Sequence, residues 1–284
     1  MYQRDYLVRM IEEMAAILGK AVGLREQSER IDVLHELDEL MQKRFRINGG
    51  LADRLTADDL QRLFTRNGAI HADELQAFAY LLLERAKLEY ESDLRLQSDP
   101  SSARPADGVY LHPHPQLAEV EASYIQRLSK ALTLLLEAML QGSDRRLVPA
   151  QQRALEALEL LKMVRLDDRT LHRLWRWHET DRRYAEAEDA LFRWLQSHET
   201  QSHGTQDHEA ADEMEGREYL PVDGRESADG TYLTLSERIR AAEAFYDRLS
   251  AFDDAQLEQG GLPRDELQEG LADVVHFRHT AIRS

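Results

Sequence analysis

The chain has 284 residues, no cysteine, 42% hydrophobic and 31% charged residues, and a formal net charge of -17 from 53 acidic and 36 basic side chains. The missing thiols exclude disulfides, cysteine-ligated zinc and thiol catalysis, and so acidic a chain argues against nucleic acid as the partner, because counterion release needs a basic face. Leu, Ala, Glu, Arg and Gln dominate while Val, Ile and Thr are scarce, which favours helix over sheet.

Residues 3–22 place Leu7, Met10, Ile11, Met14, Ile17 and Leu18 at helical spacing, with Gly23 as the stop. The opposite face carries Asp5, Glu12 and Glu13, which anionic lipid repels, so this helix is expected to dock on the core. It is too charged for a signal peptide, and the longest apolar run elsewhere, Leu132 to Leu136, is far short of the about 20 residues of a membrane span. The cytoplasm is the expected compartment, with no membrane partner.

A second helix is predicted over about 26–46, with Leu34, Leu37, Met41 and Phe45 inward and Asn48-Gly49-Gly50 ending it. Thr56-Ala57-Asp58-Asp59 signals a short third helix, stopped by Asn67-Gly68. A fourth, over 72–96, buries Leu75, Phe78, Ala79, Leu82, Ala86 and Tyr90. The texture then changes to a polar, proline-broken linker from Ser98 to Pro105, followed by Asp107-Gly108-Val109-Tyr110-Leu111 and His112-Pro113-His114-Pro115.

Helix resumes over 116–141 with a stripe through Val120, Tyr124, Leu128, Leu132, Leu135 and Met139, closed by Gly142. Pro149 suits the first position of a helix to about Arg165. Asp167-Asp168 caps another over 169–180, with Tyr184 to His198 as its antiparallel mate. Glu199 to Glu218 reads as a loop, and Tyr219-Leu220-Pro221-Val222 with Thr231-Tyr232-Leu233-Thr234 as the one credible hairpin. Ser236 is the expected cap of a helix to about Ser250; a short turn near 253–258 and Gly260-Gly261-Leu262-Pro263 lead into a last helix over 264–278.

The expected fold is therefore all-α: antiparallel helical hairpins with tetratricopeptide-like packing, plus one small β-hairpin in a long loop. The expected divisions are an N-terminal helical lobe (1–97), an extended arm (98–115), central hairpins (116–198), an acidic histidine-containing loop (199–235) and C-terminal helices (236–284). Asp107-Gly108-Val109-Tyr110-Leu111 recurs as Asp229-Gly230-Thr231-Tyr232-Leu233, and at the same offset Glu121-Ala122-Ser123-Tyr124 pairs with Glu243-Ala244-Phe245-Tyr246, the pattern of an internal duplication.

Two resemblances follow from particular residues. Leu174, Tyr184, Ala185, Glu186, Ala187 and Leu191 resemble half of a tetratricopeptide hairpin, with Trp175 where that repeat takes a small residue and no closing proline after Leu195. Gln3 to Glu12 and Asp254 to Arg264 are similar to an uncharacterised bacterial family, known from Firmicutes, labelled only as a domain of unknown function. That resemblance implies a small cytosolic helical protein and brings no activity with it.

Three groups of side chains carry chemistry. Arg169, Arg173 and Arg176 fall on one helix face with Arg182 and Arg183 in the next turn, a basic ridge suited to a carboxylate-rich peptide or phosphate. The alternative is internal pairing with Glu186, Glu188 or Asp189. Trp175 and Trp177 are two apart and are not expected to share one core face, so one is expected to be partly exposed or in a packing groove; an exposed Trp beside Arg is hot-spot chemistry. His198, His203 and His208 recur every five residues among carboxylates, the makings of a divalent-metal tract without a rigid frame.

No phosphate loop, nucleotide-binding glycine motif, nucleophile elbow or His-Glu-x-x-His occurs. The expected function is a cytosolic protein–protein interaction or scaffold module with a protein or peptide partner and no cofactor. The alternatives are a metal-binding protein or metal-dependent enzyme using the loop histidines, and a structural homo-oligomer.

Overall fold

The computed structural model describes residues 2–21, 27–98, 117–204 and 233–281, and among these the chain is all-α apart from one minimal hairpin. It divides into two compact units, Met1–Leu166 and Asp167–Ser284. That division falls inside the stretch 116–198 expected as one set of central hairpins.

The first unit contains α1 (Tyr2–Ala21), α2 (Gln27–Phe45), α3 (Gly49–Arg54), α4 (Ala57–Leu63), α5 (Ala72–Ser98), α6 (Leu117–Leu140) and α7 (Ala150–Leu160), with β1 (Thr65–Arg66) and β2 (Ala69–Ile70). Helix α5 is its spine, packing against α1, α2, α6 and α7. It can do so because Leu75, Phe78, Ala79, Leu82, Leu83 and Ala86 leave it buried on more than one side. Residues 131–139 of α6 are all buried as well. The amphipathic α1 docks as its pattern predicts, with Leu7, Met10, Met14 and Ile17 buried. Phe45, Phe64 and Phe78 meet as a ring cluster with centroids 5.1–5.7 Å apart.

Local expectations in this unit are corrected at Asn48, at Asn67-Gly68 and at both ends of α7, and one is met at Gly142. Asn48 does more than end α2, because its side chain accepts from Leu51 N at 2.8 Å and so caps the additional helix α3. Asn67-Gly68 is the turn of the β1–β2 hairpin, with φ of 54° and 78°, so the chain holds a hairpin besides the one expected at 219–234. Pro149 sits at the N-cap of α7, one residue earlier than expected, and the helix ends at Leu160, short of Arg165. Gly142 does end α6, adopting φ +79° while Ser143 N donates to Ala138 O at 3.1 Å.

The second unit contains α8 (Asp168–Thr180), α9 (Tyr184–Gly204), α10 (Leu235–Ser250), α11 (Asp254–Gln259) and α12 (Arg264–Ala281). Asp167 caps α8 by accepting from Thr170 N at 2.9 Å, and the three-residue connection to α9 makes the two an antiparallel hairpin. Helix α10 packs on α9 and α12. Its cap is Thr234, in a reciprocal box with Glu237, and not Ser236. The turn expected near 253–258 is the helix α11, held by a second box between Asp253 and Gln256. Helix α9 continues to Gly204, into the stretch expected as loop. The predicted hairpin strands up to Tyr232 and the repeat at 107–111 lie outside the described residues. No described helix is long and apolar enough to cross a membrane.

Candidate functional site

The expected Arg/Trp ridge is largely internal. Trp175 and Trp177 are 4% and 0% exposed, so both are buried, which excludes the exposed tryptophan and fits the alternative of a packing groove. Residues two apart point about 200° from each other, and burying both requires cover on two sides. Helices α9 and α10 supply it for Trp175, which meets Trp194 at 6.1 Å and Phe245 at 6.2 Å between ring centroids. Arg173 is buried and donates to Arg169 O at 3.4 Å. Arg183 pairs with Glu186 at 2.6 Å, the internal alternative. Arg176 and Arg182 are exposed and Arg169 is half-buried, so these arginines do not form one continuous surface.

Below them lies a polar centre that the sequence did not reveal. With Asp167 committed to the cap, Asp168 turns inward at the α8 N-terminus, where the helix dipole favours its charge. Arg238 of α10 forks onto it, Nη2 to Oδ2 at 2.9 Å and Nη1 to Oδ1, and Ser197 of α9 donates to Oδ1 at 2.7 Å. Arg238 also donates to Trp194 O at 3.0 Å and Leu233 O at 3.2 Å, and its guanidinium lies 5.0 Å from the Trp194 ring. His172 packs beside Trp194; burial, then the charges of Arg176, Arg173 and Arg238, push its pKa down to about 3. Burial and Arg183 push His178 down to about 4. Both rings are neutral at neutral pH.

The Tyr-x-Glu-Ala segment and the Gly-Gly-Leu-Pro segment prove to be two sides of one contact. Tyr184 N and Ala185 N, the first donors of α9, give hydrogen bonds to Gly260 O at 2.8 and 3.2 Å. The Tyr184 ring lies over Gly260, where a methyl group would overlap it, and stacks on Phe252 at 5.7 Å. Further along α9, Tyr246 of α10 donates to Glu188, whose pKa is raised by burial despite that bond. Gly270 of α12 passes directly over this pair with no room for a side chain.

In the first unit a charge network closes α3 onto α5 and α6. Arg85 is buried and binds Asp38 at 2.9 Å and Glu89 at 2.6 Å, while Arg127 forks onto Asp53 with both distances at 3.0 Å. Lys130 caps the C-terminal end of α3 through Ala52 O at 2.7 Å and Asp53 O at 2.9 Å. Burial raises Glu89 and lowers Lys130. The network fixes these helices in place, with Glu89 Oε2 held by its ion pair to Arg127 at 2.8 Å and making no hydrogen bond.

What faces outward is different. Leu155, Leu160 and Met163 are 38%, 47% and 91% exposed, all on α7 and the turn after it. A groove of about 400 Å³ lies alongside, lined by Arg145, Pro149, Ala150, Gln151, Gln152 and Leu155. Leu155 and Leu160, five residues apart, lie about 140° from each other around α7 and do not share a face, whereas Leu160 and Met163 are three apart at its C-terminal end.

The histidine tract is only partly described. His198 and His203 lie on α9, where five residues turn the helix by about 500°, leaving the two positions about 140° apart. His208 lies outside the described residues. Among the described residues no group of three or more His, Asp or Glu side chains is placed to hold a metal ion.

Residues 231–279 match the model of a family of unknown function (DUF6483). The match spans α10, α11 and most of α12, including Asp254 to Arg264, while residues 3–12 fall outside it. No curated protein and no solved structure gives a significant match to the chain.

Proposed function

We propose that the chain is a cytosolic, helical protein–protein interaction module, and that its docking surface is the C-terminal end of α7 and the turn that follows. The observation that carries this reading is the exposure of Leu160 and Met163, three residues apart where α7 ends. Such a patch costs solubility unless something covers it for part of its life. Methionine suits the task because its flexible thioether adapts to differing partner surfaces. The α8–α9 hairpin serves in this reading as frame, since its tryptophans are committed to the core.

A photocrosslinking residue placed at Met163 in the full chain, within extracts of the source organism, tests it. Glu258, exposed in the second unit, is the control position. Discrete protein adducts from position 163 and none from 258 support the reading. Adducts that are equal at the two positions, or absent from both, overturn it. Adducts consisting of a second copy of the chain move the conclusion to a homo-oligomer, whose interface is then this same face.

A further inference from the structure

The chain has 10 tyrosines and no cysteine, so a covalent tie between its helices has to come from side chains other than thiols. Tyr90 of α5 and Tyr124 of α6 lie face to face, with ring centroids 4.1 Å apart and planes 7° from parallel. Stacking at that spacing brings the ring carbons into van der Waals contact. Elsewhere among the described residues tyrosine rings meet phenylalanine instead, Tyr184 with Phe252 and Tyr246 with Phe245. The backbone under the pair is firm. Helices α5 and α6 pack on each other, and Ala86 and Leu128, each one turn from its tyrosine, are buried. Both rings are themselves half-buried, so an oxidant reaches them while the helices hold them together.

We propose that Tyr90 and Tyr124 are an oxidative cross-linking site, joined as dityrosine by a one-electron oxidant fed by hydrogen peroxide, of the haem-peroxidase class. Each phenol gives up one electron and its proton. The two phenoxyl radicals join through a new bond between ring carbons ortho to the oxygens, and the hydrogens on those carbons move to the oxygens and restore both phenols. The two electrons and two protons reduce one hydrogen peroxide to two waters. Tyr124 enters this sequence as the phenol, since burial first, then Tyr90 and the carboxylates of Glu156, Glu91 and Glu84, push its pKa up to about 12.

Prior alignment is what makes the pair selective, because the radicals meet within one folded chain without a diffusive search. The bridge ties α5 to α6 across residues 99–116 and closes a loop through residues 90–124. Such closure removes freedom from the unfolded chain, as a disulfide does.

The full chain at low concentration, treated with a haem peroxidase and limiting hydrogen peroxide, tests this. The expected product is a monomer on a denaturing gel, with dityrosine fluorescence and a mass lower by two hydrogens. Its tryptic digest should contain the Tyr90 peptide joined to the Tyr124 peptide. Tyr90→Phe and Tyr124→Phe keep the stacked rings without an oxidisable hydroxyl, and each should lose the bridge while circular dichroism stays unchanged. Tyr6→Phe, at an exposed tyrosine, and Tyr110→Phe, on the same tryptic peptide as Tyr124, should keep it. The bridged chain should also melt at a higher temperature than the Tyr90→Phe chain treated alike.

A bridge that survives Tyr90→Phe or Tyr124→Phe, or that vanishes in Tyr110→Phe, overturns the proposal. So does dityrosine found only between chains, or oxidation of other side chains with no bridge formed. Equal melting temperatures for the bridged and Tyr90→Phe chains overturn the role of the bridge as a staple.

Discussion

Arg238 and Asp168, seventy residues apart in the chain, form a buried two-pronged ion pair that ties the start of α10 to the start of α8. Both are desolvated, so the pair does not earn its stability from attraction alone; its other hydrogen bonds complete the site. Removing one partner strands the other charge. Asp168→Ala is expected to cost about 3–5 kcal/mol, read as a lower urea midpoint for the second unit, while the joint replacement Asp168→Leu/Arg238→Met should recover most of it. An Asp168→Ala protein as stable as the native chain would show that the pair is not buried in solution.

His172 and His178 make stability depend on pH in a stated direction. Their folded pKa values, about 3 and about 4, lie below the ordinary 6.5, chiefly through burial. Above pH 6.5 neither state holds the proton and stability is full. As pH falls through the window from 6.5 toward 4 and then 3, the unfolded chain takes up protons that the folded chain refuses, and stability is lost. At pH 5 the loss is roughly 2 kcal/mol for each histidine. The His172→Phe/His178→Phe chain should show a flatter dependence of its thermal midpoint between pH 7 and pH 5; an unchanged slope would place the acid sensitivity elsewhere.

Gly260 and Tyr184 should behave as one unit. Gly260→Ala pushes a methyl into the Tyr184 ring, and overpacking of this kind costs about 1–3 kcal/mol. In a Tyr184→Ala background the same change should cost much less. A double-mutant cycle measures the coupling, and strictly additive losses would contradict the contact.

Arg182 holds φ of 57° at the end of α8, while Arg183 N donates to His178 O at 2.9 Å to close the helix. A side chain in that conformation costs about 1–2 kcal/mol, a penalty glycine escapes. Arg182→Gly is therefore expected to raise the thermal midpoint by a few degrees. If Arg182 also served a partner, the stabilised protein would lose binding; with the docking surface on α7 it should not.

Much of the fold was legible because helices announce themselves locally. Leu7, Met10, Met14 and Ile17 on α1, Leu75 to Ala86 on α5, the Asp167 cap and the Gly142 stop all lie where spacing and cap chemistry put them. The errors came from signals with two meanings. Asn67-Gly68 ends a helix or turns a hairpin, and the decision belongs to Thr65 and Ile70, which pair across it. Asn48 likewise both follows one helix and caps the next. The Asp254 to Arg264 segment was a true signal, matched by the family model, but its role as the seat of Tyr184 needed the folded chain.

The candidate site was less legible for a reason of the same kind. A sequence of good helix formers with recurring apolar positions determines that this protein is helical, where most helices begin and end, and which side chains must leave water. It does not determine how many neighbours cover each helix. Helix α8 is covered on two sides, so Trp175, Trp177 and Arg173 went inward. Leu155, Leu160 and Met163, on α7 and the turn after it, lack such cover and stayed out. Nor does it say which of 53 carboxylates meets which of 36 cations. Asp168 finds Arg238, and Asp53 finds Arg127, only because packing brings distant helices together, and for the buried Asp168–Arg238 pair desolvation then makes the pairing obligatory.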